Sequence, residues 1–220
     1  MSKTYYGDRE KCYRCYRPQS SCMCSHIYEV KTNTKFIVLM HPKEFKKIKN
    51  GTGHLTHLSL PNSRLFIGID FTKHKEINDI LATHDSFVLY PSKDAINITN
   101  ESPSSLASTK NMAVFIIDST WACSSKMLQE SKNLQQLDFI SFSSTKLSQF
   151  KIKEQPAEYC LSTIESTLEV LELLNKWKIE NLEKKDLDNF LNPFHQMIEY
   201  QIKCVEALSK DKVRFKHRDK

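Results

Sequence analysis

Ala113-Val114-Phe115-Ile116-Ile117 is an apolar run without a polar interruption. A strand covered on one face alternates apolar with polar residues; an unbroken run marks a strand buried on both faces, as at the centre of a parallel sheet between helices. The run stops at Asp118-Ser119-Thr120-Trp121, and Ala122-Cys123-Ser124-Ser125-Lys126-Met127-Leu128 then reads as the start of a helix. A carboxylate, a hydroxyl and an indole are thereby set at the carboxyl end of a central strand. Open α/β sheets place their ligand crevice there. The same residues also suit an ordinary junction, with Asp118 or Ser119 capping the helix and Trp121 packing beneath it.

Further strands are predicted over residues 35–40, 65–69, 87–90 and 139–142, and helical stretches over 53–60 and 76–81. This alternation predicts an α/β fold with a largely parallel sheet. The first strand runs into His41-Pro42-Lys43-Glu44 and the third into Tyr90-Pro91-Ser92, so both end in turns on the same side as Asp118. Lys43, Lys46, Lys47 and Lys49 form a basic stretch, which is a solvated face or, beside a crevice, a phosphate contact. Ser162 with Glu165 makes a capping box, and Ile164, Leu168, Leu171, Leu174 and Trp177 follow at helical spacing. The head of that helix is either simply capped or a seat for a ligand carboxylate. One last helix is predicted over about 186–209, followed by a basic tail containing Arg214, either a disordered end or an arm for phosphates.

Four of the seven cysteines lie close together, as Cys12-Tyr13-Arg14-Cys15 and Cys22-Met23-Cys24 around a Pro-bearing turn. This spacing brings four thiolates to the corners of a tetrahedron about Zn²⁺, a closed site with an architectural role. Two disulfides of a secreted domain are the alternative, and the isolated Cys123, Cys160 and Cys204, read as small core or near-core residues, speak against it. Tyr13, Arg14, Tyr16 and Arg17 interleave rings with guanidinium groups, a surface for RNA or for packing on the rest of the chain.

The net charge of +6 and a pI near 8.8 permit an RNA partner. Only four glycines are present, with no G-x-G-x-x-G and no P-loop, so a nucleotide-containing ligand must be held by other means. There is no apolar stretch long enough for a membrane span and no secretory signal, so a cytoplasmic enzyme is expected, with its oligomeric state open and no obligatory protein partner implied. A zinc-knuckle segment is assigned to residues 1–30 and a catalytic domain with C-terminal helix and tail to 31–220.

Taken in order, Cys12-x-x-Cys15-x-Arg17-Pro18 with Cys22-x-Cys24, His41-Pro42-x-Glu44, Leu89-Tyr90-Pro91-Ser92, Asp118-x-Thr120-Trp121, and Gln155-Pro156 followed by Leu161-Ser162-Thr163-Ile164-Glu165 resemble the DTW-domain family of tRNA-uridine aminocarboxypropyltransferases. The resemblance implies a SPOUT-like core with a trefoil knot at the cofactor site. It implies transfer of the 3-amino-3-carboxypropyl group of S-adenosylmethionine to N3 of a uridine in tRNA, leaving methylthioadenosine. Two positions depart from the family pattern: Ser119 stands where Gly is usual, and Lys153 where Arg is frequent. Ser119 demands an ordinary backbone conformation, and Lys153 keeps the charge without the bidentate fork.

On this reading Asp118 is the general base. Leu89, Tyr90, Pro91, Ser92, Asp118, Thr120, Trp121, Pro156, Leu161, Ser162, Thr163 and Glu165 line the S-adenosylmethionine crevice. Cys12, Cys15, Cys22 and Cys24 hold Zn²⁺. Arg14, Arg17, His41, Lys43, Lys46, Lys153 and Arg214 are candidate RNA contacts. Two rivals remain: a SPOUT-type RNA methyltransferase with the same cofactor, and a zinc-knuckle RNA-binding protein without catalysis.

Overall fold

The computed structural model describes residues 10–46, 50–103, 111–144, 146–150, 152 and 160–207. Its described elements are β1 (Lys35–Met40), α1 (Pro42–Phe45), α2 (Gly53–Ser59), β2 (Ser63–Ile67), α3 (Lys75–Thr83), β3 (His84–Leu89), β4 (Ile96–Asn97), β5 (Asn111–Asp118), α4 (Trp121–Glu130), β6 (Asp138–Ser141), α5 (Thr163–Lys176), α6 (Lys184–Phe190) and α7 (Asn192–Glu206).

The six strands form one sheet in the order β2-β1-β5-β3-β6-β4, and every neighbouring pair is parallel. The α/β fold with a parallel sheet is as the alternation of elements predicts. The unbroken apolar run of β5 now has its cause in the two layers that cover the sheet. Val114 and Ile116 point into one core with Phe36, Leu55, Ile164, Leu171 and Phe194. Ala113 and Phe115 point into the other with Ile37, Leu39, Ile77, Met127 and Leu128. Side chains alternate across a strand, so a strand covered on both faces has no position left for a polar residue.

From β1 the chain moves outward to β2, whereas from β5 it moves the other way, past β3 to β6. Connections that leave adjacent strands in opposite directions open a crevice at their carboxyl ends. Met40 of β1 and Asp118 of β5 are register partners at that edge. The start of β1 is fixed from a distance: the buried carboxylate of Glu180 accepts the backbone N–H groups of Asn33 at 2.8 Å and Thr34 at 2.7 Å.

The C-terminal region corrects one expectation. The continuous apolar spacing over 186–209 predicts one helix, but the described chain forms α6 and α7, broken at Leu191. Pro193 lies in the first turn of α7; it has no N–H to continue the bonding of α6 and its fixed φ suits a helix start. Phe190 and Phe194, on either side of the break, are both fully buried. The periodicity survives because both helices bury the same core. The expected knot depends on the path of the chain between β6 and α5, where residues 145, 151 and 153–159 lie outside those described.

Candidate functional site

Asp118 is the last residue of β5 and only 6% exposed. Its backbone carbonyl accepts the N–H of His41, just beyond β1, at 3.1 Å. Its carboxylate Oδ1 accepts the hydroxyl of Thr163, the first residue of α5, at 2.6 Å. Its Oδ2 lies beside Gly53, the first residue of α2, where a Cβ would sit 2.3 Å away. The ends of two strands and the heads of two helices thus converge on one residue, Asp118. Gly53 has no positive φ, so it is the close approach, and not the backbone conformation, that requires a glycine. The sequence reading placed Gly53 at the start of a helical stretch and missed this role, which depends on a residue 65 positions further along the chain.

Gly53→Ala is therefore expected to displace the Asp118 carboxylate. Overpacking of this kind costs about 1–3 kcal/mol, and turnover should fall further than stability alone explains. Thermal melting beside initial rates checks this; a Gly53→Ala protein with wild-type rates would show that Asp118 has no need of its place.

The head of α5 carries the predicted capping box in more elaborate form. Glu165, 6% exposed, accepts the N–H of Ser162 at 2.8 Å, the hydroxyl of Ser162 at 2.5 Å, the hydroxyl of Ser148 at 2.9 Å and the N–H of Gln149 at 2.6 Å. It ties the segment 146–150 to the helix. Two protein carboxylates therefore stand at the head of α5: Asp118 accepts the Thr163 hydroxyl and Glu165 the N–H and hydroxyl of Ser162, a position the helix dipole favours for negative charge. Glu165 and Ser162 use their polar atoms within the protein and so shape the crevice from behind.

The opposite wall is the end of β3. Tyr90, whose N–H donates to the carbonyl of Ile140 at 3.0 Å, sets its ring edge-on to Trp121 with centroids 6.0 Å apart, and to Phe139 at 6.3 Å. Trp121, the first residue of α4, is 48% exposed. It leans on Tyr90 with one edge and offers the rest of its indole to solvent. Leu89 and Leu161 are partly exposed and Pro91, Ser92 and Thr120 exposed around the same edge. The hydroxyl of Ser119 is buried without a hydrogen-bond partner among the described residues. A cavity of about 510 Å³ lies elsewhere, lined by His26, Tyr28, His195 and Glu199 among others, and contains none of the predicted site residues. The crevice is recognised by what converges on it and not by volume.

The four cysteine sulfurs lie within 4.8 Å of one another, with Cys12 to Cys24 at 3.6 Å and Cys15 to Cys22 at 3.7 Å. A tetrahedron with Zn–S bonds of about 2.3 Å has S···S edges of about 3.8 Å, so the arrangement fits the metal. The turn is closed by Tyr16 N–H donating to the Cys12 carbonyl at 2.8 Å, with Tyr16 itself at φ 56°. Backbone N–H groups of Cys15 and Arg14 pull the Cys12 thiol down to a pKa of about 6, a thiolate poised for a metal, while burial pushes Cys24 up. A bound cation deprotonates such a thiol outright.

Two predicted RNA contacts are corrected. Arg17 is 2% exposed; its guanidinium lies 3.0 Å from the Met197 sulfur of α7 and donates to the Gly51 carbonyl at 3.4 Å. Burial lowers its pKa while Cys15 and Cys22 oppose that, so the group belongs to the underside of the knuckle. His41 is 7% exposed, and its Nδ1 caps α1 by accepting the Lys43 N–H at 3.1 Å. Lys43 and Lys46 are exposed, and Arg14 is half-exposed in an ion pair with Glu29 at 2.6 Å. Lys153, Pro156 and Arg214 lie outside the described residues. Cys123, Cys160 and Cys204 are partly exposed.

No helix among the described residues is long and apolar enough to cross a membrane. The DTW domain pattern matches residues 9–202. A protein named tRNA-uridine aminocarboxypropyltransferase 2 from Drosophila melanogaster is 27% identical over 214 residues, covering 92% of this chain and 80% of its own length. Proteins of the same name from Macaca fascicularis and Mus musculus are 27% identical over 177 residues, covering 76% of this chain. The chain spans 57% of the length of each of these two. No solved structure matches it. The matched region takes in the knuckle, the sheet and the carboxylate at the end of β5, and the chain belongs to the DTW-domain family.

Proposed function

We propose that the protein transfers the 3-amino-3-carboxypropyl group of S-adenosylmethionine to N3 of a uridine in tRNA and releases methylthioadenosine. The observation that carries this reading is Asp118: a buried carboxylate at the carboxyl edge of the central strand, oriented by Thr163, with the half-exposed Trp121 three residues on. The names of the relatives supply the acceptor class, tRNA uridine.

Uracil N3 is a poor nucleophile while it carries its proton. Asp118 takes that proton as N3 forms its bond to the γ carbon of the methionyl chain, the C–S bond breaks, and its electron pair stays on sulfur to give the neutral thioether. The sulfonium activates its methyl and methylene carbons alike, so orientation selects the carbon that moves. The carboxylate of the transferred group needs a cation or free N–H donors along the crevice, and the first turn of α5, beside Asp118, supplies such N–H groups. The acceptor base has to leave its stack, and the open face of Trp121 suits a flipped uracil. Cys12, Cys15, Cys22 and Cys24 hold a structural Zn²⁺, which with four thiolates has no open position for chemistry. A cytoplasmic site of action goes with this reading.

The test is incubation of the purified protein with unmodified tRNA and S-adenosylmethionine, followed by mass spectrometry of nucleosides and small products. A uridine heavier by one aminocarboxypropyl group with methylthioadenosine is expected. S-adenosylhomocysteine with a methylated base would replace the reading by a methyltransferase, and a protein without affinity for S-adenosylmethionine would remove catalysis from it.

A further inference from the structure

Tyr13 is 93% exposed, the most exposed large hydrophobic side chain among the described residues. It occupies the two-residue spacer between Cys12 and Cys15, so its backbone is pinned on both sides by cysteines of the four-sulfur cluster. A ring presented on so short a chelate loop loses little freedom when something stacks on it, which is what preorganisation contributes to binding. The knuckle is in turn braced against the main body. Tyr16 packs edge-on to Phe45 of α1, centroids 6.1 Å apart, and to His54 of α2 at 5.1 Å. The His54 ring nitrogen Nε2 lies 3.2 Å from the Arg14 carbonyl. His54 follows Gly53, which touches Asp118, so a short series of contacts joins the knuckle to the carboxylate. Alongside it, α1 and the residue after it present Lys43 and Lys46 to solvent.

The knuckle with its exposed ring and α1 with its two exposed ammonium groups are neighbours through the Tyr16–Phe45 contact, a short path from the reacting site. We propose that the knuckle and α1 together take the single-stranded RNA flanking the acceptor uridine, with Tyr13 stacked on an unpaired base and Lys43 and Lys46 on phosphates. The inference rests on tRNA being the acceptor and adds where the RNA lies. It gives the knuckle a role beyond architecture, and it separates the two kinds of contact: stacking is tolerant of salt, whereas phosphate contacts release counterions.

The test is binding of unmodified tRNA to the zinc-loaded full chain by fluorescence anisotropy at several salt concentrations. Tyr13→Ala should weaken binding about tenfold with the salt slope unchanged, and Tyr13→Trp should restore it. Lys43→Gln with Lys46→Gln should flatten the log–log salt slope by about 1.5. Zinc content and S-adenosylmethionine affinity should stay as in the wild type in all three, since each side chain is in solvent. Wild-type tRNA binding by both Tyr13→Ala and the lysine variant would overturn the proposal, as expected of a face that docks a protein. A wild-type chain that binds no tRNA would instead overturn the assignment of the acceptor itself, a distinct result.

Discussion

Asp118→Asn is expected to lower turnover about 100-fold or more, the usual scale for loss of a general base, while S-adenosylmethionine and tRNA bind nearly as before. The substitution keeps the shape of the side chain. Asn can still accept the Thr163 hydroxyl through its amide oxygen, so the junction of β5 with α5 survives and only the capacity to take a proton is lost. Thr163→Val separates orientation from proton transfer. It removes the 2.6 Å hydrogen bond and leaves the base in place, so kcat should fall by a smaller factor with the KM for S-adenosylmethionine little changed. The two substitutions act on one carboxylate, so their effects should not add: the double variant should be no slower than Asp118→Asn alone. Single-turnover rates at saturating tRNA measure this directly. Turnover of Asp118→Asn at the wild-type rate would leave proton removal to solvent and the base assignment without support.

The parts of the fold that are local in cause were legible in the sequence. The run ending at Asp118 could only be a strand covered on both faces, and Ser162 with Glu165 fixed where α5 begins, because a capping box satisfies its N–H groups within one turn. What depends on contacts between distant residues was not legible. Nothing near Gly53 announces that its missing side chain makes room for Asp118. Glu165 reads as a cap, yet half of its bonding is to Ser148 and Gln149, which no spacing rule links to it. Arg17 resembles its neighbour Arg14 in sequence; one is sunk against Met197 and the other stands in solvent, a difference made by α7 arriving from the far end of the chain. The order of the strands is of the same kind. Alternating elements imply parallel pairing, but the insertion of β5 between β1 and β3 follows from which faces have to be covered, and that is settled only in three dimensions.

Cys15→Ser, or removal of the metal by a strong chelator, is expected to lower the melting temperature by about 10 °C, corresponding to a loss of roughly 3–4 kcal/mol for a domain of this size. A small zinc finger unfolds altogether without its metal. This chain has two apolar layers of its own, so the sheet should persist while the knuckle comes apart. The loss spreads beyond the knuckle because its underside is part of the main core: Cys15 is 1% exposed, and Met23 and Val30 pack in the same layer as Phe36 and Phe194. It is also electrostatic. Four thiolates on Zn²⁺ carry a net charge of −2, and the buried guanidinium of Arg17 lies where Cys15 and Cys22 favour its charge; protonated thiols no longer offset the cost of burying it. Cys204→Ser, at a partly exposed position on α7 away from the four sulfurs, should change stability by no more than about 0.5 kcal/mol and serves as the control. Metal analysis together with thermal denaturation decides the matter: a Cys15→Ser protein that keeps one zinc per chain and melts with the wild type would mean that the four sulfurs lie together for some other reason. If the metal is lost and the melting temperature falls, the tyrosines of the knuckle lose their fixed placement with it, and tRNA affinity should decline in parallel while binding of S-adenosylmethionine, whose crevice is built from the sheet and α5, is largely retained.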